Sequence, residues 1–175
     1  VHSLGEAAGM ILAGGNSYVG LDSTVLDLSG AVPALLRHGA VTLEELQKHL
    51  GKVEDATSSE GKPKSPGQLL RHYAPKTPLR LHAVDVKKGE ALLAFGSLKF
   101  MGVEVGGWAK DMPDTHLANL SPEGDLAEAS ANLFAMLHRL DASGAKMIAV
   151  MDIPDLEMGR AINDRLSRAA RAQKE

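Results

Sequence analysis

Residues 65–75 read SPGQLLRHYAP. Arg71, His72 and Tyr73 place a cation, a titratable ring and a phenol side by side, between Pro66 and Pro75. The prolines restrict the free segment, so ordering it against a surface costs less entropy. Such a segment could close over a phosphate-bearing ligand, donate to it and exclude water. A semi-rigid spacer whose ring packs on a domain surface has the same composition.

Other candidates lie earlier. Ser23 and Thr24 follow a glycine and open a β-branched stretch, and a hydroxyl there can serve a carboxylate or an ammonium group. Solvent-facing strand residues read the same way. Arg37 closes the apolar run PALL, where its fork suits phosphate oxygens or simply reaches solvent. GGNSYVG lacks the Lys-Ser/Thr of a phosphate loop, so Gly14, Gly15 and Gly20 read as turn residues. The seven histidines are scattered with no ligand-like spacing, and no protein metal site is expected. Asp152, Asp155, Arg160 and Asn163 follow an apolar strand, where open α/β sheets place ligands. They also suit an ordinary helix start.

The elements that position these groups divide the chain in two. Short strands are expected at 10–15, 23–28 and 33–37. Thr42 and Glu45 form a capping box for a helix that stops at Gly51. Residues 52–77 lack periodicity and mark a boundary. Beyond it, strands are expected at 79–84, 91–96, 115–120 and 146–153. A helix is expected over 122–141, with Leu126, Ala129, Leu133, Met136, Leu137 and Leu140 on one face, and a basic helix over 160–171. The order β, β, β, α, β, α implies a small three-layer α/β domain with a crossover between the third and fourth strands.

Composition narrows the classes. Aromatics are only 3%, so the core must be aliphatic. The formal charge of −3 argues against a whole-surface grip on nucleic acid, leaving only a weak contact through Arg165, Arg168 and Arg171. The absence of cysteine fits a reducing, cytoplasmic setting, and no apolar run is long enough to span a membrane. The start, on Val-His-Ser with no turn or cap, is expected to lie inside a longer protein.

GGNSYVGLDSTVLDL, PALLRHGAVTLEEL, SPGQLLRHYAPKTPL and MGRAINDRLSRAA occur in this order. Together they resemble the C-terminal portion of two-domain members of the Sua5/YciO/YrdC family, the threonylcarbamoyl-AMP synthases. The resemblance covers essentially the whole chain. It implies that 1–51 end a YrdC-like catalytic domain, 52–78 form a linker and lid, and 79–175 form a Rossmann-like domain. The implied reaction joins L-threonine, bicarbonate and ATP, with Mg²⁺ carried by ATP and no tightly bound cofactor. Its product serves the t6A modification of tRNA, so other proteins of that pathway are implied partners. The resemblance assigns Ser23 and Thr24 to L-threonine, and Arg37, Arg71, His72 and Tyr73 to ATP. Ser65, Pro66 and Gly67 belong to the lid. The family's K-x-R triplet is absent. The single S-x-N, Ser130 to Asn132, falls inside the amphipathic helix and reads as coincidence. Leu21-Asp22 and His38 depart from the usual pattern. The chain alone is therefore expected to be inactive, and the alternative is a stand-alone binding or regulatory module.

Overall fold

A computed structural model describes residues 9, 10, 12, 17, 19–57, 74–98 and 112–172. Its first unit is a three-stranded sheet of β1 (Val25–Asp27), β2 (Ala34–Arg37) and β3 (Glu54–Asp55), in that order. β1 runs antiparallel to β2, and β3 runs parallel to it. Helix α1 (Leu43–Leu50) connects β2 to β3. Its capping box forms as expected: the Glu45 amide donates to Thr42 Oγ1 at 3.2 Å, and the Thr42 amide donates to Glu45 Oε2 at 2.9 Å. Gly51 ends the helix at φ +73°, which glycine adopts without a Cβ penalty.

The second unit is a four-stranded parallel sheet of β4 (Leu79–Arg80), β5 (Glu90–Ala94), β6 (Leu117–Asn119) and β7 (Met147–Val150), ordered β4-β7-β5-β6. Helix α2 (Leu126–Asp141) carries the chain from β6 past β5 to β7, which is the crossover that the element order implied. Helix α3 (Met158–Arg171) follows.

The parallel pairing explains why MIAV and EALLA are apolar or buried throughout. Both faces of such a sheet are covered. On one face Leu93, Ile148 and Val150 meet Leu133, Leu137 and Leu140 of α2 and Ile162 and Leu166 of α3. On the other, Leu92, Ala94, Ala149 and Met151 are covered, among the described residues, by Val86, Leu98, Met112 and Leu117 rather than by a helix. The mixed α/β architecture is the one that the sequence pattern implies.

Several expectations are corrected in detail. The first sheet reaches Asp55, past the expected end at 51, because Val53 is buried and Glu54 and Asp55 pair with β2. The expected strand at 79–84 stops at Arg80, since His82 turns into positive φ (+55°). Residues 114–116 form one 3-10 turn before β6. Helix α2 begins at Leu126, where Asp125 accepts from the Ala127 and Glu128 amides, not at Pro122. Helix α3 begins two residues before Arg160. Of the strand expected at 10–15, only residues 10 and 12 are described. Met10 and Leu12 are 81% and 89% exposed and join no described sheet.

An ion pair between half-buried Arg80 and buried Glu90 locks the β4–β5 connection. Arg80 donates to Glu90 through Nε at 3.1 Å and NH2 at 2.6 Å, and the Lys87 amide donates to Glu90 at 2.8 Å. Burial raises the Glu90 carboxyl, but the bonds from Arg80 and Lys87 outweigh it and hold it below the ordinary value. A depressed carboxylate adds stability above its unfolded value, near ~4.3 for Glu, and loses it as pH falls through the folded value. Glu90→Gln should therefore be less stable than the parent at pH 7. The gap should close as pH falls through and below the folded-state value, as read from urea midpoints between pH 3 and 7.

Candidate functional site

The sequence candidates Ser23, Thr24 and Arg37 converge at the open end of the first sheet. Val25 opposes Arg37 in the β1–β2 register, so the residues just before Val25 lie beside the end of β2. Arg37 uses this placement. Its Nε donates to the Ser23 carbonyl at 2.9 Å and its NH2 to Ser23 Oγ at 3.1 Å. Ser23 Oγ therefore accepts from a cation while its own proton stays available to a carboxylate acceptor. Ser23 is exposed.

Thr24 does different work. Its Oγ1 donates to the Val41 carbonyl at 2.7 Å and accepts from the Val41 amide at 3.1 Å. The hydroxyl thus ties the segment to the loop that leads into α1. Gly39 makes the tie sterically feasible. A Cβ there would fall 2.3 Å from the Thr24 nitrogen and 2.5 Å from the Asp22 carbonyl oxygen. Its neighbour His38 is buried and faces Asp55 Oδ2 at 3.0 Å through Nε2. Burial pushes the Asp55 carboxyl up. Bonds from the Thr57 hydroxyl and amide, together with His38, outweigh that and hold it below the usual range.

Residues 65–67 and 71–73 lie outside the described residues, so Ser65, Pro66, Gly67, Arg71, His72 and Tyr73 are not placed against Arg37. Gly14 and Gly15 lie outside them as well. Ser130 and Asn132 fall inside α2, as read from the sequence, and both are structurally employed. Ser130 Oγ donates to the Val19 carbonyl at 2.7 Å, and Asn132 Nδ2 donates to the Leu120 carbonyl at 2.9 Å.

The arginines of α3 correct the nucleic-acid reading. Arg165 is 2% exposed and pairs with Asp164 at 3.1 Å and Asp22 at 3.5 Å. Arg168 Nε pairs with Asp164 at 2.9 Å, and its NH2 donates to the Thr57 carbonyl at 3.2 Å. Arg160 meets Glu44 at 2.7 Å and so leaves the crevice expected for it. Of the three candidates for tRNA contact, only Arg171 is exposed. The basic helix faces the first unit of its own chain.

A concavity of about 300 Å³ lies where β4 and β7 end, with Asp152, Asp155 and Asn163 in its wall as the strand-end rule anticipated. His82 and Ser167 complete its polar lining. His82 Nδ1 lies 2.6 Å from Asp152 Oδ1. The sequence reading missed His82, although its position immediately after a strand was a usable signal; its positive φ was not readable. Among the described residues, no group of three or more His, Asp or Glu side chains is placed to hold a metal ion. No described helix is long and apolar enough to cross a membrane.

A parallel α/β unit docked through its last helix onto a small three-stranded sheet is the architecture of a known family. A family model described as "Threonylcarbamoyl-AMP synthase, C-terminal domain" matches residues 41–171, and the chain belongs to that family. It is 32% identical over 171 residues to the threonylcarbamoyl-AMP synthase of Pyrococcus abyssi (strain GE5 / Orsay), covering 91% of this chain and 48% of that protein. It is 27% identical over 179 residues to the threonylcarbamoyl-AMP synthase of Bacillus subtilis (strain 168), covering 97% of this chain and 51% of that one. The crystal structure of P. abyssi Sua5 complexed with L-threonine shares the fold at TM-score 0.70 and 24% identity, over 91% of this chain and 48% of that one. A P. abyssi Sua5 variant with an adjacent histidine and tyrosine changed to alanine shares it at TM-score 0.61 and 20% identity, over the same shares of the two chains. The chain thus spans about half the length of the curated relatives it matches.

The Gly39 approach is directly testable. Gly39→Ala should cost about 1–3 kcal/mol by overpacking and shift the Ser23 and Thr24 amide resonances. Gly30→Ala, whose Cβ would meet nothing closer than 3.5 Å, serves as the control with neither change.

Proposed function

We propose that this chain is the C-terminal portion of an L-threonylcarbamoyladenylate synthase. The whole protein condenses L-threonine, bicarbonate and ATP to threonylcarbamoyl-AMP, pyrophosphate and water, for the t6A modification of tRNA. The observation that carries the reading is the Arg37 fork on Ser23, set at the end of the first sheet in a chain that belongs to this family. In this reading Ser23 donates its hydroxyl proton to the threonine carboxylate. Thr24 holds the segment in place and offers its remaining lone pair. Arg37 orients Ser23 and lends positive charge toward the ATP phosphates, which carry the Mg²⁺.

The 65–73 segment is the cover, with Arg71, His72 and Tyr73 on the nucleotide side. His72-Tyr73 is the only His-Tyr pair in the sequence. The K-x-R region lies outside this sequence, so the chain supplies part of the pocket and is inactive alone. A second reading, a non-catalytic ligand-binding module, draws its support from the His82–Asp152 concavity.

Isothermal titration separates the two readings. ATP and L-threonine should bind only when this chain is combined with an N-terminal piece that carries K-x-R. Failure of the combined pieces to bind either ligand would sink the first reading. In the whole synthase, Tyr73→Ala should raise the KM for ATP; unchanged kinetics would reduce the segment to a spacer.

A further inference from the structure

The second unit grips four consecutive residues immediately before Ser23. The Val19 carbonyl accepts from the buried Ser130 hydroxyl at 2.7 Å. Gly20, at φ +66°, approaches α2 so closely that a Cβ would lie 2.5 Å from Ala131 Cα. Leu21 packs against the core cluster of the second unit. Asp22 faces Arg165. Leu21 and Asp22 are two of the positions at which the sequence departs from the family pattern, and both spend their side chains on this contact.

We propose that Arg165 is a positioning residue for the threonine site, acting through Asp22 on Ser23, so that the C-terminal domain sets threonine affinity. The proposal rests on the assignment of Ser23 to L-threonine.

The charges explain why the link is specific. Arg165 is 2% exposed, and a buried guanidinium needs nearby negative charge. Asp164 is shared: Arg165 approaches its Oδ2 at 3.1 Å and Arg168 approaches its Oδ1 at 2.9 Å. Two cations thus draw on one carboxylate, and Asp22 supplies the second. Arg165 Nε has no hydrogen-bond partner among the described residues, and its terminal nitrogens meet the carboxylates of Asp164 and Asp22. Asp22 is held by the charge requirement of a helix in the other unit. Ser23 is one peptide away and is tied on its far side to Arg37. A displacement of α3 therefore reaches Ser23 through the Asp22 side chain and the one planar peptide that joins the two residues.

The test uses the synthase that contains this chain, with KM for L-threonine, KM for ATP and kcat measured for Asp22→Asn, Arg165→Gln and Arg165→Lys. Asp22→Asn and Arg165→Gln should raise the threonine KM about tenfold, the scale of coupling between contacting residues. The ATP KM and kcat should stay within about twofold. Arg165→Lys keeps the charge without the fork and should recover part of the loss. Lower melting temperature with an unchanged threonine KM would make the pair merely structural and overturn the proposal, as would an equal loss of ATP affinity. If the Arg165 variants fail to fold, Asp22→Asn and Ser130→Ala carry the same measurement. Ser23→Ala separates the layers. If it leaves the threonine KM unchanged, the site assignment itself fails. If it raises that KM while Asp22→Asn and Ser130→Ala do not, the coupling alone fails.

Discussion

The buried guanidinium of Arg165 is the constraint around which the two halves of this protein are arranged. A cation held almost wholly out of water is costly unless negative charge and hydrogen bonds surround it. Asp164 lies beside it on the same helix but also serves Arg168. The remaining charge comes from Asp22, 143 residues earlier. The helix surface therefore selects one placement of the early segment, and the Ser130 hydroxyl and the glycine approach at residue 20 fix its height on α2. Further along, Arg160 meets Glu44 and Arg168 reaches the Thr57 carbonyl. One face of α3 thus reads three separate parts of the first unit. Its basic residues serve this intramolecular contact, which explains how a helix rich in arginine occurs in a chain of net charge −3.

From that anchor the segment around Ser23 is determined on its other side by sterics. Gly39 lets the loop after β2 pass within backbone contact of residues 22–24, and the Thr24 hydroxyl closes that contact from both directions. Arg37 then engages Ser23 twice, through Nε to its carbonyl and through Nη2 to its hydroxyl oxygen. The division of labour between adjacent hydroxyls follows: Thr24 is spent on structure, while Ser23 keeps a proton to donate. A segment clamped between a helix and a glycine loop resists displacement, which suits a group meant to meet its ligand without reorganisation.

The strand-end concavity has a different character. Among the described residues its polar rim holds two carboxylates and a histidine, with no lysine or arginine. Phosphate is poorly served by such a rim, despite the parallel sheet beneath it. His82 owes its place to a left-handed backbone conformation at the point where β4 stops pairing regularly, before Ala83 renews contact with the Val150 carbonyl.

Local chemistry was legible from the order of residues alone. The Thr42–Glu45 box, the apolar face of α2, the continuous apolar strand β7 and the alternation of strands with helices follow from periods and caps that short stretches encode. The sequence also singled out Ser23 and Arg37, which the fold brings into contact, and Asp152, Asp155 and Asn163, which line one concavity. Tertiary structure decided what those groups touch. Arg165 and Ser130 occupy positions whose types read as solvent-facing or incidental, yet both are buried, because their partners lie more than a hundred residues away. The pairing of Glu54 and Asp55 with β2 was equally unreadable, since two charged residues carry no strand signal until a neighbouring backbone supplies the hydrogen bonds. Periodicity records which side of an element faces inward. It cannot record whether an inward cation meets a distant carboxylate, because that compensation exists only once the chain has folded and water has been removed from between them.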